Sequence, residues 1–398
     1  MPTILQINVT ANWGSTGKIA EQIGLNAQSH GWKSYIAYGR MMNPSKNKLV
    51  RIGSNLDVYE HYSENILFDN EGLASRQSTK NFLRKVDDIK PDIIHLHNIH
   101  DHYINYKLLF SFLSEKKIPI IWTQHDCWAF TGGCAYYTMV GCDKWQTECK
   151  ECPIPRGILK NKTNEQYNLR KNIILPLDNI TLVPVSKWLE KELRKSFLKS
   201  KNICTILNGI DVNTFKPSFS LDIRKKYRIG NSPFLMAVAT VWSERKGLED
   251  YKKLATILNR GLKLVLVGLS DNQSKNLPKN IIAVPRTQNI NELVQLYTEA
   301  SIVLNLSYEE TFGLTTVEGF ACGTPGIVYG CTASPELITA DTGMIVDAGN
   351  IQKVNETIQL ILTKDKKEYS EKCRKYAVIK YDKDKCFEKY VELYEKLI

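Results

Sequence analysis

Residues 310–318 read ETFGLTTVE and residues 319–325 continue GFACGTP, and this stretch decides the fold. The apolar run 301–306 precedes it and predicts a buried strand. A glycine turn follows at Gly313, and a helix is expected to begin near Leu314. A strand, a turn and a helix start place free backbone N–H groups at one point, which suits a phosphate. Glu318 would then lie about one turn inside the helix, within reach of ribose hydroxyls. The plain alternative is an ordinary strand–helix unit with one solvent-facing acid and one acid near the helix start.

Short apolar runs alternate with longer amphipathic stretches along the whole chain. The runs predicted as strands are 4–9, 34–38, 92–97, 119–123, 181–185, 234–239, 263–268, 281–284, 301–306 and 326–328. This alternation favours parallel sheets covered by helices on both faces, an α/β fold. Ten strands over 398 residues favour two doubly wound domains over one sheet.

Composition and the N-terminus bear on the compartment. Hydrophobic residues make up 43% of the chain, and no apolar run approaches the ~20 residues of a membrane span. Residues 1–9 lack a basic region and a cleavage site, so they predict a first strand and not a signal peptide. We therefore predict a cytoplasmic protein, where the ten cysteines stay reduced or bind metal.

The net charge of +11 is concentrated in residues 156–202, which carry eleven basic residues against four acidic ones. Leu189, Leu193 and Phe197 recur there at four-residue spacing. The favoured interpretation is a helix with a solvated basic face. The alternative is peripheral contact with an anionic membrane or a lipid-diphosphate acceptor. Nucleic acid is not expected as a partner, because no stacking-aromatic motif accompanies the basic residues.

The Glu310-x7-Glu318 spacing, the internal Phe-Gly-Leu and the trailing Ala-Cys-Gly-Thr-Pro resemble the donor-site signature of retaining GT-B glycosyltransferases of family 4. The resemblance spans nearly the whole chain. It implies two Rossmann-like domains, 1–207 and 208–380, facing across a cleft whose closure aligns the substrates. It also implies a last helix in 381–398 that crosses back to the first domain. The turn 208–211, Asn-Gly-Ile-Asp, is similar to the family's linker.

The same resemblance implies roles for residues of the second domain. Arg245 and Lys246 would bind the donor diphosphate, since placed cations stabilise the charge that develops on this leaving group. Glu310 would hold sugar hydroxyls near the anomeric carbon. The remaining donor-binding residues would be Glu318 at the ribose, the N–H groups of Gly313 and Leu314 at the diphosphate, and Arg286 at the base.

In the first domain, the strand-to-helix turn containing Gly14 and Gly17 is expected to meet an anion, donor phosphate or acceptor. It is not a P-loop, because Asn12 stands at the first glycine position and Ile19 follows Lys18. His125 ends a predicted strand and resembles the family histidine that points at the transferred sugar. The alternative for His125 is a structural histidine paired with Asp126.

Histidines and cysteines cluster between positions 95 and 152. His95 and His97 are expected on one side of a strand, as polar packing and cleft lining. The insert 127–153 contains Cys134, Cys142, Cys149 and Cys152, and a similar stretch occurs in a polysaccharide-biosynthesis subgroup of the family. Four thiolates predict a structural Zn²⁺, while free thiols and disulfides stay open.

The resemblance thus predicts a retaining glycosyltransferase without a catalytic metal. It would move a sugar from a nucleotide-diphosphate sugar to a glycan or lipid-linked acceptor in cell-surface polysaccharide synthesis. A sugar-nucleotide 2-epimerase of the same fold is one alternative, although it is not expected to carry Glu310 and Glu318 around Phe312-Gly313. A non-catalytic adaptor that uses the cysteine loop is the other, although it would not need Arg245, Lys246 and both acids.

Overall fold

A computed structural model describes residues 1–154 and 156–398 of the chain. These residues divide into two compact units. The N-terminal unit comprises Met1–Leu207 together with Cys386–Ile398, and the C-terminal unit comprises Asn208–Lys385.

The N-terminal unit alternates strands and helices. Its elements are β1 (Thr3–Asn8), α1 (Gly14–Ser29), β2 (Lys33–Tyr38), β3 (Lys48–Arg51), α2 (Asn55–Phe68), α3 (Arg76–Ile89), β4 (Ile93–Leu96), α4 (Tyr106–Lys116), β5 (Ile120–Gln124), α5 (Thr163–Ile174), β6 (Ile180–Pro184), α6 (Lys187–Lys195) and β7 (Asn202–Ile203). Short 3-10 helices occupy Trp128–Phe130, Lys144–Gln146 and Phe197–Ser200.

The strands of this unit form one parallel sheet in the order β3-β2-β1-β4-β5-β6-β7. All six residues of β1 and all four of β4 are buried, as expected of a sheet covered on both faces. The order reverses direction between β1 and β4. The loops after these two strands therefore leave the sheet in opposite directions, which opens the crevice where such sheets bind ligands.

The C-terminal unit repeats the pattern. Its elements are α7 (Leu221–Lys226), β8 (Phe234–Val238), α8 (Leu248–Ile257), β9 (Lys263–Val267), β10 (Ile281–Val284), α9 (Ile290–Glu299), β11 (Ile302–Asn305), α10 (Leu314–Ala321), β12 (Gly326–Tyr329), β13 (Gly343–Val346), α11 (Ile351–Leu362), α12 (Lys366–Lys380) and the first residues of α13 (Lys383–Glu395). Short 3-10 helices occupy Glu244–Lys246 and Ser334–Leu337.

The second sheet is also parallel, in the order β10-β9-β8-β11-β12-β13. Its reversal lies between β8 and β11. The loop after β8 contains Arg245 and Lys246, and the loop after β11 contains Glu310 and Gly313. The topology alone therefore brings the predicted cations and acids to one crevice of this sheet.

From Cys386 onward, α13 packs in the N-terminal unit. The hydroxyl of Tyr394 lies 2.7 Å from His95 Nδ1, and that of Tyr390 lies 3.0 Å from Thr123 Oγ1. The Tyr394 ring also packs 5.4 Å from Trp32, centroid to centroid. The amphipathic pattern of residues 387–394 is thus explained by burial of its aromatic side.

The fold class predicted from the sequence is confirmed: both units are α/β, with parallel, doubly wound sheets. All ten predicted strands are present, within one or two residues at their ends. The described residues add three strands that were not predicted: β3, β7 and β13. None of the helices described is both long enough and apolar enough to span a bilayer.

Candidate functional site

The turn into α10 has a geometric need for glycine. Gly313 caps the helix at φ +99°, a backbone region that favours glycine. A Cβ at this position would also lie 2.9 Å from Leu337 Cδ1. The glycine therefore lets α10 begin at Leu314 directly after the loop.

Lys246 and Glu310, predicted to serve the same ligand, form an ion pair. The Lys246 side chain is 20% exposed and that of Glu310 13%, so both are largely buried but reach the surface. Burial alone would raise the pKa of Glu310. The neighbouring Lys246 and Arg245 outweigh it and hold that pKa below its usual range. Glu310 is therefore an anion at neutral pH.

Arg245 is anchored by the loop that carries the acids. The Arg245 Nη1 donates to the carbonyl of Glu309 at 2.8 Å, and the backbone carbonyl of Arg245 accepts from the N–H of Tyr308 at 2.9 Å. One side-chain bond and one backbone bond of Arg245 thus tie the loop after β8 to the loop after β11, next to the Lys246–Glu310 pair. The two cations and Glu310 form one constellation in the C-terminal unit.

Glu318 lies in the second turn of α10 and is half-buried, and Tyr297 is its hydrogen-bond partner. The Tyr297 hydroxyl donates to Glu318 Oε2 at 2.9 Å. Burial, and next the Glu318 charge, raise the pKa of Tyr297 well above its usual value, so it stays a donor at neutral pH. One carboxylate oxygen is therefore fixed by the protein, which orients the other.

Sequence reasoning missed two supports of this site. The first is Tyr297, which donates to Glu318. In the sequence it is one aromatic residue of an amphipathic helix, a pattern that indicates only a place in the core. Thr332 is the other, since its Oγ1 accepts from the Glu310 N–H at 2.9 Å while its backbone adopts φ +51°. Arg286 follows β10 and is exposed, and its role at the base stays a prediction.

The glycine turn of the N-terminal unit differs from its prediction at one position. Gly14 begins α1 at φ +67°, but Gly17 lies inside the helix and is buried. Because only the first N–H groups of a helix lack partners within it, Gly17 is not a loop donor. Its lack of a side chain has a packing reason: a Cβ would lie 2.6 Å from Thr10 Oγ1.

A buried histidine network surrounds His125, which follows β5. His125 Nε2 lies 3.1 Å from His97 Nδ1, and His97 Nε2 lies 3.0 Å from Gln6 Oε1. The two imidazoles stack at 5.4 Å between centroids. Burial lowers the pKa of His125 to about 4 and that of His95 to about 3, and the pKa of His97 falls well below its usual value. These rings are neutral at physiological pH.

Asp126, the sequence neighbour of His125, pairs with His100. Its Oδ2 lies 2.8 Å from His100 Nε2, and its Oδ1 accepts from the Trp128 N–H. Burial alone would lower the pKa of His100, but Asp126 and next Asp101 raise it well above its usual value. His100 is therefore an imidazolium in a buried ion pair.

The four predicted metal-ligating cysteines line one cavity of about 20 Å³. Phe130 and Tyr137 pack on Trp145 beside it, and the Gly132 N–H donates to Cys149 Sγ at 3.2 Å. Burial, and next the other cysteines, raise the pKa of Cys134 to about 12. The thiols are thus brought together in an insert with little regular structure.

Their sulfur atoms are not yet at metal-binding distance. Within residues 1–154 and 156–398, no three of them lie within 4.8 Å of one another, whereas one ligand atom each from Glu71, His100 and Asp101 do. Glu71 and His100 of that second group already form hydrogen bonds or ion pairs with other protein groups. Glu71 accepts from Trp128 Nε1 and faces Arg156, and His100 is paired with Asp126.

The part of the basic segment in α6 folds as its favoured interpretation predicted, whereas Arg156 and Arg170 of the same segment are largely buried. In α6, Leu189 and Leu193 are buried, and Phe197 is buried just beyond it. Lys187, Lys191 and Lys195 are exposed. The apolar side of this helix therefore belongs to the core and cannot meet lipid.

Comparisons with known proteins agree with this architecture. Residues 27–214 match the family model described as Glycosyltransferase Family 4, and residues 220–379 match Glycosyl transferases group 1. An Escherichia coli K12 protein named for colanic acid biosynthesis, WcaC, is 28% identical over 162 residues, 38% of this chain and 39% of that protein. The N,N'-diacetylbacillosaminyl-diphospho-undecaprenol alpha-1,3-N-acetylgalactosaminyltransferase of Campylobacter jejuni is 26% identical over 218 residues, 52% of this chain and 57% of that enzyme. The match thus spans less than two thirds of these relatives.

Solved structures share the fold over the full length. Sucrose-phosphate synthase from Thermosynechococcus elongatus superposes with a TM-score of 0.74 at 18% identity, covering 100% of this chain and 99% of that one. Anabaena Alr3699/HepE in complex with UDP-glucose superposes with a TM-score of 0.66 at 13% identity, covering 99% of each chain. The two family models together cover most of the chain and the solved structures share its fold, which supports a GT-B glycosyltransferase of the family 4 type.

Proposed function

We propose that this protein is a retaining glycosyltransferase that uses a nucleotide-diphosphate sugar as donor. The observation that carries the proposal is the constellation of Arg245, Lys246, Glu310 and the α10 N-terminus around one crevice of the C-terminal sheet. Two cations beside helix N–H groups suit a diphosphate, and a fixed carboxylate one turn further suits ribose. HepE, of the same fold, is described in complex with UDP-glucose, which supports this class of donor.

The Lys246–Glu310 ion pair explains how the site could change its charge pairing when a donor binds. Without donor, the two side chains neutralise each other. A bound diphosphate would compete for Lys246 and leave Glu310 as an acceptor for sugar hydroxyls. Cations already in place would stabilise the leaving diphosphate as its bond to the sugar breaks, without reorganisation at that moment.

For retention, we propose front-face attack, in which the leaving phosphate takes the acceptor proton. No acid in the described site stands apart as a nucleophile, since Glu310 is paired with Lys246 and Glu318 with Tyr297. His125 would contact the sugar or acceptor as a neutral ring, and no catalytic metal is required. The acceptor we propose is a glycan or a lipid-linked saccharide in cell-surface polysaccharide synthesis. The name of the C. jejuni relative contains a saccharide linked to diphospho-undecaprenol, and that of the E. coli relative contains colanic acid biosynthesis, which support this class of acceptor.

The activity test is turnover with a panel of UDP-, GDP- and ADP-sugars. We expect one donor to release its nucleotide slowly in water and faster with a lipid-linked saccharide acceptor. Arg245→Ala and Glu318→Ala should abolish release. ¹H NMR of the product should show the donor's anomeric configuration retained. An inverted product would refute the retaining proposal while leaving transfer intact, and reversible epimerisation of the nucleotide sugar would favour the epimerase alternative.

The same proposal includes a cytoplasmic protein in peripheral contact with an anionic membrane. Two surfaces of the N-terminal unit support it: the exposed lysines of α6, and an apolar stripe on α2 formed by Leu56, Tyr59, Tyr62 and Ile66, which are exposed at helical spacing. Flotation with vesicles should show binding that needs anionic lipid and falls with salt. A Leu56→Ser/Ile66→Ser variant that floats unchanged would eliminate the α2 stripe.

We also propose that the four-cysteine cavity holds a structural Zn²⁺. The donor set is that of a structural zinc site, and all four cysteines line the same cavity. The sulfur atoms would have to move closer together on binding. Elemental analysis of protein purified without added metal should give about one zinc per chain. Cys152→Ser should lower that content, whereas the buried Cys373→Ser, far along the chain, should not.

A further inference from the structure

We propose that Gln6 and His97 are positioning residues that fix the tautomer of His125, so that its Nδ1 is unprotonated and acts as a hydrogen-bond acceptor. Only the identity of the ligand that meets this acceptor rests on the proposed function. The argument follows the proton positions outward from the strand β1.

The amide of Gln6 has one orientation. Gln6 is fully buried in β1, and its Nε2 donates to the carbonyl of Ala20 in α1 at 2.9 Å. A backbone carbonyl can only accept, so the amide cannot be flipped. Gln6 Oε1 is therefore the atom that lies 3.0 Å from His97 Nε2.

An amide oxygen can only accept, so His97 Nε2 must carry a proton. The His97 ring is 1% exposed and neutral, since burial, and next the neighbouring His95 and His125, hold its pKa far below neutrality. A neutral imidazole has a single N–H, which leaves His97 Nδ1 as an acceptor.

His97 Nδ1 lies 3.1 Å from His125 Nε2. With an acceptor on the His97 side, His125 must donate, so its proton is on Nε2. His125 is itself neutral at physiological pH, and its Nδ1 therefore has a lone pair. The chain of hydrogen bonds from the Ala20 carbonyl through the side chains of Gln6 and His97 thus determines which nitrogen of His125 is protonated.

The consequence is a specific kind of contact. A neutral His125 has no positive charge, and its Nδ1 can accept a hydrogen bond but cannot donate one. Any group that meets this atom, from the protein or from a substrate, must therefore be a donor such as a hydroxyl. A carboxylate or phosphate oxygen would be disfavoured there.

The direct test is ¹⁵N-histidine NMR of the full chain at pH 7. Long-range ¹H–¹⁵N spectra distinguish protonated from unprotonated ring nitrogens, and His97→Asn and His125→Asn spectra assign the two signals. We expect both rings to be neutral with the proton on Nε2. A neutral His125 with its proton on Nδ1, or a mixture of both tautomers, would overturn the proposal with or without transferase activity.

Gln6→Glu tests the coupling. A carboxylate beside Nε2 should hold His97 protonated on both nitrogens, which turns Nδ1 into a donor and moves the His125 proton to Nδ1. We expect turnover to fall about tenfold to a hundredfold, with nucleotide affinity unchanged because that site lies in the C-terminal unit. Gln6→Met, which removes the acceptor without adding charge, should give a mixture of tautomers and a smaller loss.

The outcomes are separable. If the wild-type tautomers are as expected but no donor is turned over, the positioning inference stands and the proposed function fails. If Gln6→Glu changes turnover without changing the His125 tautomer, the inference fails. Should Gln6→Glu not fold, the wild-type spectrum alone still decides.

Discussion

Removing the hydroxyl of Tyr297 isolates one support of the candidate donor site. Tyr297 is fully buried in α9, and its hydroxyl donates at 2.9 Å to Glu318 Oε2. Tyr297→Phe keeps the ring and its packing, so it deletes the hydrogen bond without opening a cavity large enough to collapse the helix. The carboxylate that we propose for ribose would lose its internal partner.

The magnitude follows from the charge and the exposure. A hydrogen bond to a charged group contributes about 1.5–3 kcal/mol. Glu318 is half-buried, so water recovers part of this, and we expect the nucleotide to bind about 1–2 kcal/mol more weakly, with Kd raised about 5- to 30-fold. The free energy of unfolding should fall by about 1 kcal/mol.

Isothermal titration with the nucleotide of the active donor measures the first effect, and urea unfolding measures the second. The matched control is Tyr227→Phe, which deletes a hydroxyl-to-carboxylate bond of 2.7 Å to Glu292, outside the constellation. It should lower stability similarly while leaving Kd unchanged. An unchanged Kd in Tyr297→Phe, or equal weakening in both variants, would refute the role given to Glu318.

Three further predictions concern stability. Lys246→Ala should remove the ion-pair partner of Glu310 and lower the free energy of unfolding by about 2 kcal/mol at pH 7. Because the pKa of Glu310 is lowered in the folded protein, the difference in unfolding free energy between wild type and variant should shrink as the pH falls below the ordinary carboxylate pKa. Urea titrations of both proteins at pH 7 and 4 measure this. Because burial lowers the pKa of folded His125 to about 4, this residue binds a proton between pH 6.5 and 4 only in the unfolded chain, and the free energy of unfolding should fall as the pH falls through this range. His125→Asn should reduce the slope of unfolding free energy against pH by about 1.4 kcal/mol per pH unit. An unchanged slope would show that His125 is not buried as a neutral ring. Gly313→Ala should cost about 1–3 kcal/mol, read from the thermal midpoint, whereas Gly14→Ala, whose Cβ would meet nothing within 4 Å, should cost less.

Among the described residues, every strand in the interior of the two sheets was predicted, whereas three of the four edge strands, β3, β7 and β13, were not; the edge strand β10 was predicted. The pattern found β1 and β11 because every residue in them is apolar or buried. It missed β3, whose residues are exposed or half-buried, and β7, which has two residues. Strands at an edge have one open side and can be less buried, so their sequences need not show the continuous apolar run that identifies a buried strand.

The candidate site was predictable where the topology fixes it, and not where single side chains do. Arg245, Lys246 and Glu310 follow strands that flank the sheet reversal, so their sequence positions imply their meeting. Tyr297 and Gln6 act through contacts made only in the folded chain. Gln6 did leave a signal: an amide inside the buried strand β1 must find partners, and those partners are His97 and Ala20.

Close approach explains part of the glycine pattern after β1. The sequence shows only that a residue without a side chain is required at Gly17, and a phosphate loop and a tight packing contact share that requirement. The structure adds the contact, because a Cβ at Gly17 would lie 2.6 Å from Thr10 Oγ1.

The measurement that tests the central claim most directly is titration of the purified protein with UDP, GDP and ADP, compared with the Arg245→Ala and Glu318→Ala variants. We predict that one nucleotide binds to the wild type and stabilises it, by about 2.7 kcal/mol at 100 times its Kd, and that both variants lose this binding while remaining folded. A folded wild type that binds none of the three, or variants that bind as well as it does, would contradict the assignment of the donor site.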